Sequence, residues 1–179
     1  VFNGELYFRA DDGTHGIELW KTDGTNAPIM VADIYSGDGF GIVDGPYHLT
    51  VFNDELYFSV LDDTNGRELW KTDGTNAGTV LVADINPSGS SNPYYLTVFN
   101  GELYFRADDG TNGKELWKTD GTATSIVADI NPSGNNGNPG SLTIFNNELY
   151  FQADDGIHGK ELWKYDGVNA PSMVADINP

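Results

Sequence analysis

Carboxylates dominate the reactive side chains of this chain, and they recur in three short patterns: an Asp pair ahead of a Gly-bearing turn, TDG, and ADI. Hard oxygens grouped on such a turn are the donor type that holds calcium. The position kept in every Asp-pair pattern is Asp12, Asp62, Asp109 and Asp155. The D-x-[DN]-x-[DN]-G spacing of a calcium loop is absent, and Leu61 stands where the other copies carry the first carboxylate. The competing use is turn capping, in which Asp accepts hydrogen bonds from the backbone just ahead of it. Both uses stay open on the sequence alone. Asp23, Asp73, Asp120 and Asp166 of the TDG pattern read as turn supports. Asp33, Asp84, Asp129 and Asp176 of ADI end a strand, where a charge discourages edge pairing.

Paired carboxylates are also the machinery of glycoside cleavage. That chemistry needs one asymmetric environment that drives two pKa values apart, whereas these pairs are copied along the chain and see similar surroundings. His15 and His158 fall at equivalent turn positions where the other copies have Asn65 and Asn112, and His48 stands alone in a linker. No Gly-x-Ser-x-Gly or His-Glu-x-x-His motif occurs. The chain has no cysteine, which excludes disulfides, thiolate metal sites and thiol nucleophiles. The expectation is a protein that is not an enzyme, with no required cofactor; a polysaccharide-acting hydrolase is the rival.

What positions these residues is a repeat. VFNGELYFRADDGTHGIELWKTDGT from Val1 returns from Val51, Val98 and Ile144, dividing the chain into 1–50, 51–97, 98–143 and 144–179. All eight Glu fall in ELY and ELW, and 16 of the 19 Asp fall in the three Asp patterns. The acidity is therefore part of the copied unit. Each unit reads as four short strands. A first strand such as Leu96–Phe99 turns at Asn100-Gly101 into the second, and Asn3-Gly4, Asn53-Asp54 and Asn146-Asn147 offer equivalent turns. ELWK forms the third strand and the segment before ADI the fourth. Linkers at Tyr35–Thr50, Asn86–Thr97 and Asn131–Thr143, rich in Pro, Gly, Ser and Asn, join the copies. Three tight turns followed by one long connection is the order a β-propeller blade requires, and the period of about 40–50 residues agrees. Apolar residues on both faces of ELYF and ELW suit a sheet between two neighbours, with Trp20, Trp70, Trp117 and Trp163 packed between blades.

The recurring ELWKTDG(T), preceded by ADDG and followed by VADI, resembles the ELWxxDGT repeat family of bacterial extracellular proteins; Val168 is a departure where Thr is expected. The resemblance implies repetitive propeller-like architecture in a secreted or surface protein, with no established reaction. The fold class is all-β: a β-propeller with four blades of four antiparallel strands. A compact four-bladed ring is the first expectation, half of an eight-bladed homodimer or a fragment of a larger propeller the alternatives. The chain opens at Val1, part-way into a strand, and reads as a mature or excised piece.

The 27 acidic residues against nine basic ones leave a net charge of −18, which repels phosphate backbones and excludes nucleic acid as the natural partner. No apolar run approaches the ~20 residues of a membrane helix, so no membrane insertion is expected. The linkers are the least alike parts of the copies, and variable loops on a constant scaffold are where specificity sits. Phe40, Tyr47, Tyr94 and Tyr95 are the candidate ligand-binding residues for a protein or glycan partner. Asp12, Asp62, Asp109 and Asp155 are the candidate calcium ligands.

Overall fold

The copied turns and strands close into four antiparallel sheets. The computed structural model describes residues 1–36, 45–132 and 134–177. The first sheet is β1 (Leu6–Asp11), β2 (Ile17–Thr22) and β3 (Ile29–Ala32), and the second is β4 (Tyr47–Phe52), β5 (Glu55–Asp62), β6 (Gly66–Thr72) and β7 (Val80–Ala83). The third is β8 (Tyr94–Phe99), β9 (Glu102–Asp108), β10 (Lys114–Thr119) and β11 (Thr124–Ala128), and the fourth is β12 (Gly140–Phe145), β13 (Glu148–Asp154), β14 (Lys160–Tyr165) and β15 (Ser172–Ala175). In each sheet the strands neighbour one another in chain order. The first has three strands, and the single bridge between Phe2 and Glu5 stands where the other sheets have their first strand. Among the described residues there is no helix, hence none long and apolar enough to cross a membrane.

The hairpin turns have the chemistry their sequence implies. Asn3, Asn53, Asn100 and Asn146 have φ between 47° and 49°, and the following Gly4, Asp54, Gly101 and Asn147 are also positive. Two successive positive-φ residues make the tight turn that matches strand twist.

The first strands of the second, third and fourth sheets begin earlier than the linker pattern implies. Tyr47 pairs with Ser59, Tyr94 with Arg106 and Gly140 with Gln152; the register then shifts before Thr50, Thr97 and Thr143. The device is a β-bulge. His48, Tyr95 and Ser141 take φ of 59°, 61° and 56° at equivalent points, and the extra residue lets the chain rejoin the ladder beyond the bulge. A low-complexity linker conceals such a return, because its hydrogen bonds are made by backbone rather than by a side-chain pattern.

The chain forms two compact units, Val1–Ser90 and Ser91–Pro179, each holding two sheets. In the first, Phe2, Tyr7, Leu19 and Val31 of the first repeat pack against Leu56, Phe58 and Val60 of the second, flanked by Trp70. In the second, Phe99, Tyr104, Leu116 and Ile130 pack against Leu149, Phe151, Ala153 and Tyr165, flanked by Trp163. The same rule operates twice: the Phe, Tyr and Leu face of one sheet is covered by the Leu-x-Phe face of the next. Burying each such side chain stabilises by about 1.5–3 kcal/mol.

Candidate functional site

The Asp-pair turns cap themselves in all four copies. Asp12 Oδ1 accepts the N–H groups of Thr14 and His15, both at 2.9 Å. Asp62 accepts from Thr64 and Asn65, Asp109 from Thr111 and Asn112, and Asp155 from Ile157 and His158. The other oxygen of each takes the side chain three residues on: Asn65 and Asn112 through Nδ2, and the rings of His15 and His158 at 2.8 and 2.7 Å. The backbone donors and the His rings hold the Asp12 and Asp155 carboxyls down at about 2, and the carboxylates in turn raise the two histidines. The TDG aspartates do the same for the N–H groups two and three residues ahead in Asp23, Asp120 and Asp166. Among the described residues, no three His, Asp or Glu side chains converge with the spacing of a metal site.

The two glutamates of each copy have different fates. Those of ELY are half-exposed and ion-paired: Glu5 with Lys21, Glu55 with Lys71, Glu102 with Lys118 and Glu148 with Lys164, each at 2.9 Å. Each also accepts the hydroxyl of the Tyr two residues on, at 2.7 Å in Tyr104–Glu102. The partners face one another because β1 and β2, and their equivalents, set Tyr opposite Lys in register.

Those of ELW, namely Glu18, Glu68, Glu115 and Glu161, are buried. Each reaches past its sheet's outer strand to the backbone that follows it: Glu18 accepts from Tyr35, Glu68 from Ile85, Glu115 from Ile130 and Glu161 from Ile177, all at 3.0 Å. Glu115 Oε1 also accepts the Gly137 N–H, so this carboxylate holds both ends of a linker. Desolvation pushes Glu18 and Glu115 up to about 7, against the pull of those N–H donors. Sequence reading did not single these residues out. The signal was an acidic residue at the centre of an apolar strand in every copy.

Where the copies differ, aromatic and cationic side chains gather. The chain has three arginines, and all three stand against the candidate tyrosines. Arg9 lies 3.8 Å from the Tyr47 ring centre, and Arg67 lies 5.1 Å from it on the same unit. Arg67 also donates to the carbonyls of Gly45 and Ser59 at 3.2 Å. Arg106 lies 5.2 Å from Tyr94 and 5.4 Å from Tyr95, whose rings meet edge to face at 4.5 Å. Guanidinium over an aromatic face contributes about 0.5–2 kcal/mol. Tyr95 holds its positive φ despite a bulky side chain, a costly backbone state, and its ring and Gln152 crowd Gly140, the residue that replaces Tyr94 and Tyr47 in the last copy. Tyr47, Tyr94 and Tyr95 thus sit on the bulged ends of β4 and β8, beside cations, rather than in free loops. Phe40 falls outside the described residues.

A separate open pocket of about 170 Å³ lies in the first sheet between the Glu5–Lys21 pair and the Asp23–Asn26 turn. Comparison with known families found no family model that matches this chain, and comparison with curated proteins found none similar to it.

Proposed function

We propose that this chain is a non-catalytic binding or scaffold module built from β-propeller blades, secreted or displayed on a bacterial surface, that takes a protein or glycan ligand. The observation that carries the reading is the pairing of all three arginines with tyrosines at the variable ends of β4 and β8. Rings that stack and guanidinium groups that donate in a plane are what sugar hydroxyls, carboxylates and peptide carbonyls bind to. The carboxylates of the Asp-pair and TDG turns, by contrast, are occupied within their own turns, those of ELY with Lys and Tyr, and those of ELW with linker backbone. That arrangement supports a scaffold rather than an acid–base pair. The blade reading is supported by four sequentially ordered sheets with long connections between them, and the extracellular one by the resemblance of ELWKTDG to ELWxxDGT repeats.

A glycan array followed by calorimetric titration tests the proposal. Binding that Tyr95→Ala and Arg106→Ala each weaken by tenfold or more supports it. Turnover on a polysaccharide panel would replace it with the hydrolase. Calcium assistance is tested by melting with calcium and then with chelator; an unchanged melting temperature removes the ion from the account.

A further inference from the structure

The two units are built alike, and a single arginine position shows where they differ. In the first unit, Arg9 of β1 is covered by Tyr47 of β4, with 3.8 Å from the guanidinium carbon to the ring centre. In the second unit the equivalent arginine is Arg106 of β9, and the residue equivalent to Tyr47 is Gly140 of β12, as the strand registers show. Glycine has no ring to lay over the guanidinium. Arg106 rests instead against Tyr94 and Tyr95 of its own sheet, at the longer distances of 5.2 and 5.4 Å. A Cβ on Gly140 would stand 3.2 Å from the Tyr95 ring and 3.1 Å from the Gln152 amide nitrogen. Arg106, Gly140 and Gln152 therefore gather round the Tyr95 ring. All of these residues belong to the second unit.

The hydrogen bonding of this arginine is incomplete. Its contacts are the two tyrosine rings, and among the described residues its guanidinium meets no carboxylate and donates to no carbonyl. Asp108, two residues along the same strand, takes the Gly110 N–H instead. Elsewhere the cations are engaged: Lys21, Lys71, Lys118 and Lys164 hold the ELY glutamates, and Arg67 donates to two backbone carbonyls. Arg106 is half-buried and Tyr94 beside it is 40 % exposed, so a ligand that reaches the rings also reaches the guanidinium.

We propose that Arg106, Tyr94, Tyr95 and Gln152 form a site for a carboxylate-bearing sugar, a uronic acid residue of a glycan. It rests on the reading that the chain binds a glycan, and it adds the charge of the sugar. The planar guanidinium takes the carboxylate through two parallel N–H···O bonds. A pyranose lays its C–H face on a tyrosine ring, and the Gln152 amide, donor and acceptor at once, suits the sugar hydroxyls. An acidic peptide side chain would engage the arginine but offers no such face to the rings. The −18 charge of the chain sets the kind of acid. A heavily sulfated glycan brings many charges into a field that repels them, whereas an isolated carboxylate brings one.

Calorimetric titration of the full chain tests the proposal with two probes, a uronate-containing oligosaccharide and the same oligosaccharide with its carboxyls reduced to alcohols. The acid form is expected to bind tenfold or more tighter than the reduced form. Arg106→Gln should bring the two to equal affinity, whereas Lys114→Gln, which removes the same charge from the neighbouring strand, should leave the preference in place. Gly140→Tyr, which restores the residue that covers Arg9, should weaken the acid form by tenfold or more with no change of charge. A reduced form that binds as tightly as the acid overturns the proposal and leaves the glycan reading standing. So does an Arg106→Gln variant that keeps the preference, or an oligoglutamate that binds where the uronate oligosaccharide does not. A chain that takes neither probe and no member of a glycan array overturns both. Should a variant fail to melt cooperatively, the comparison of acid with reduced form on the unaltered chain still decides the matter.

Discussion

At the scale of single residues, identical letters have unequal roles. The Glu of ELY and the Glu of ELW are each followed by Leu and an aromatic, yet one meets a lysine at the surface and the other lies beneath the outer strand. The difference is what lies within reach: Lys21 and its equivalents on the adjacent strand, against unpaired backbone N–H groups at the start of each linker. A buried carboxylate is tolerated only where such donors satisfy it. Glu115→Ala leaves the N–H groups of Ile130 and Gly137 without their acceptor. Each orphaned group costs about 1–3 kcal/mol, so chemical denaturation should show a loss of that size or its double. Asp120→Ala removes an exposed cap from water-accessible donors and should cost less. The candidate tyrosines stood out in the sequence as aromatic residues of the variable linkers. Their arginine neighbours did not, because Arg9 and Tyr47 are far apart in sequence and meet only when two sheets of one unit pack.

At the scale of elements, the repeat was readable almost strand by strand. NG-type turns, TDG turns and the apolar ELYF and ELW strands each have a local cause, so they appear wherever the letters do. The bulge at His48, Tyr95 and Ser141 has none, since three different side chains take one backbone state. There the register of the whole hairpin selects the conformation. The TDG glycine shows how an element's surroundings change the meaning of a copied residue. Gly24 and Gly74 have φ of 78° and 95°, which costs an Ala about 1–2 kcal/mol at either site. Gly74→Ala additionally collides with Tyr7, whereas Gly24→Ala meets open space. Thermal melting should therefore rank Gly74→Ala as clearly the more damaging of the two.

At the scale of the whole molecule, two sets of carboxylates set opposing pH limits. Glu18 and Glu115 titrate at about 7 in the folded chain and near the ordinary 4.5 when unfolded. Between those values the folded state binds more protons, so their contribution is fully present below about 4.5 and is lost as pH rises through 7. Asp12, Asp23, Asp155 and Asp166 are held at about 2 against an ordinary 3.8. Their contribution is present above 3.8 and is lost as pH falls through 2. Stability should peak between about pH 4 and 5, and a melting temperature that rises steadily from pH 5 to 8 would contradict this assignment. Sequence by itself determined the four all-β units, their hairpin turns and their acidity, because turn geometry and strand pairing depend on residues a few positions apart. Tertiary structure alone decided which glutamates are buried and which tyrosines meet arginines. Those properties belong to the strands that meet across a sheet or between two sheets of one unit, and four nearly identical copies carry no record of them in their own letters.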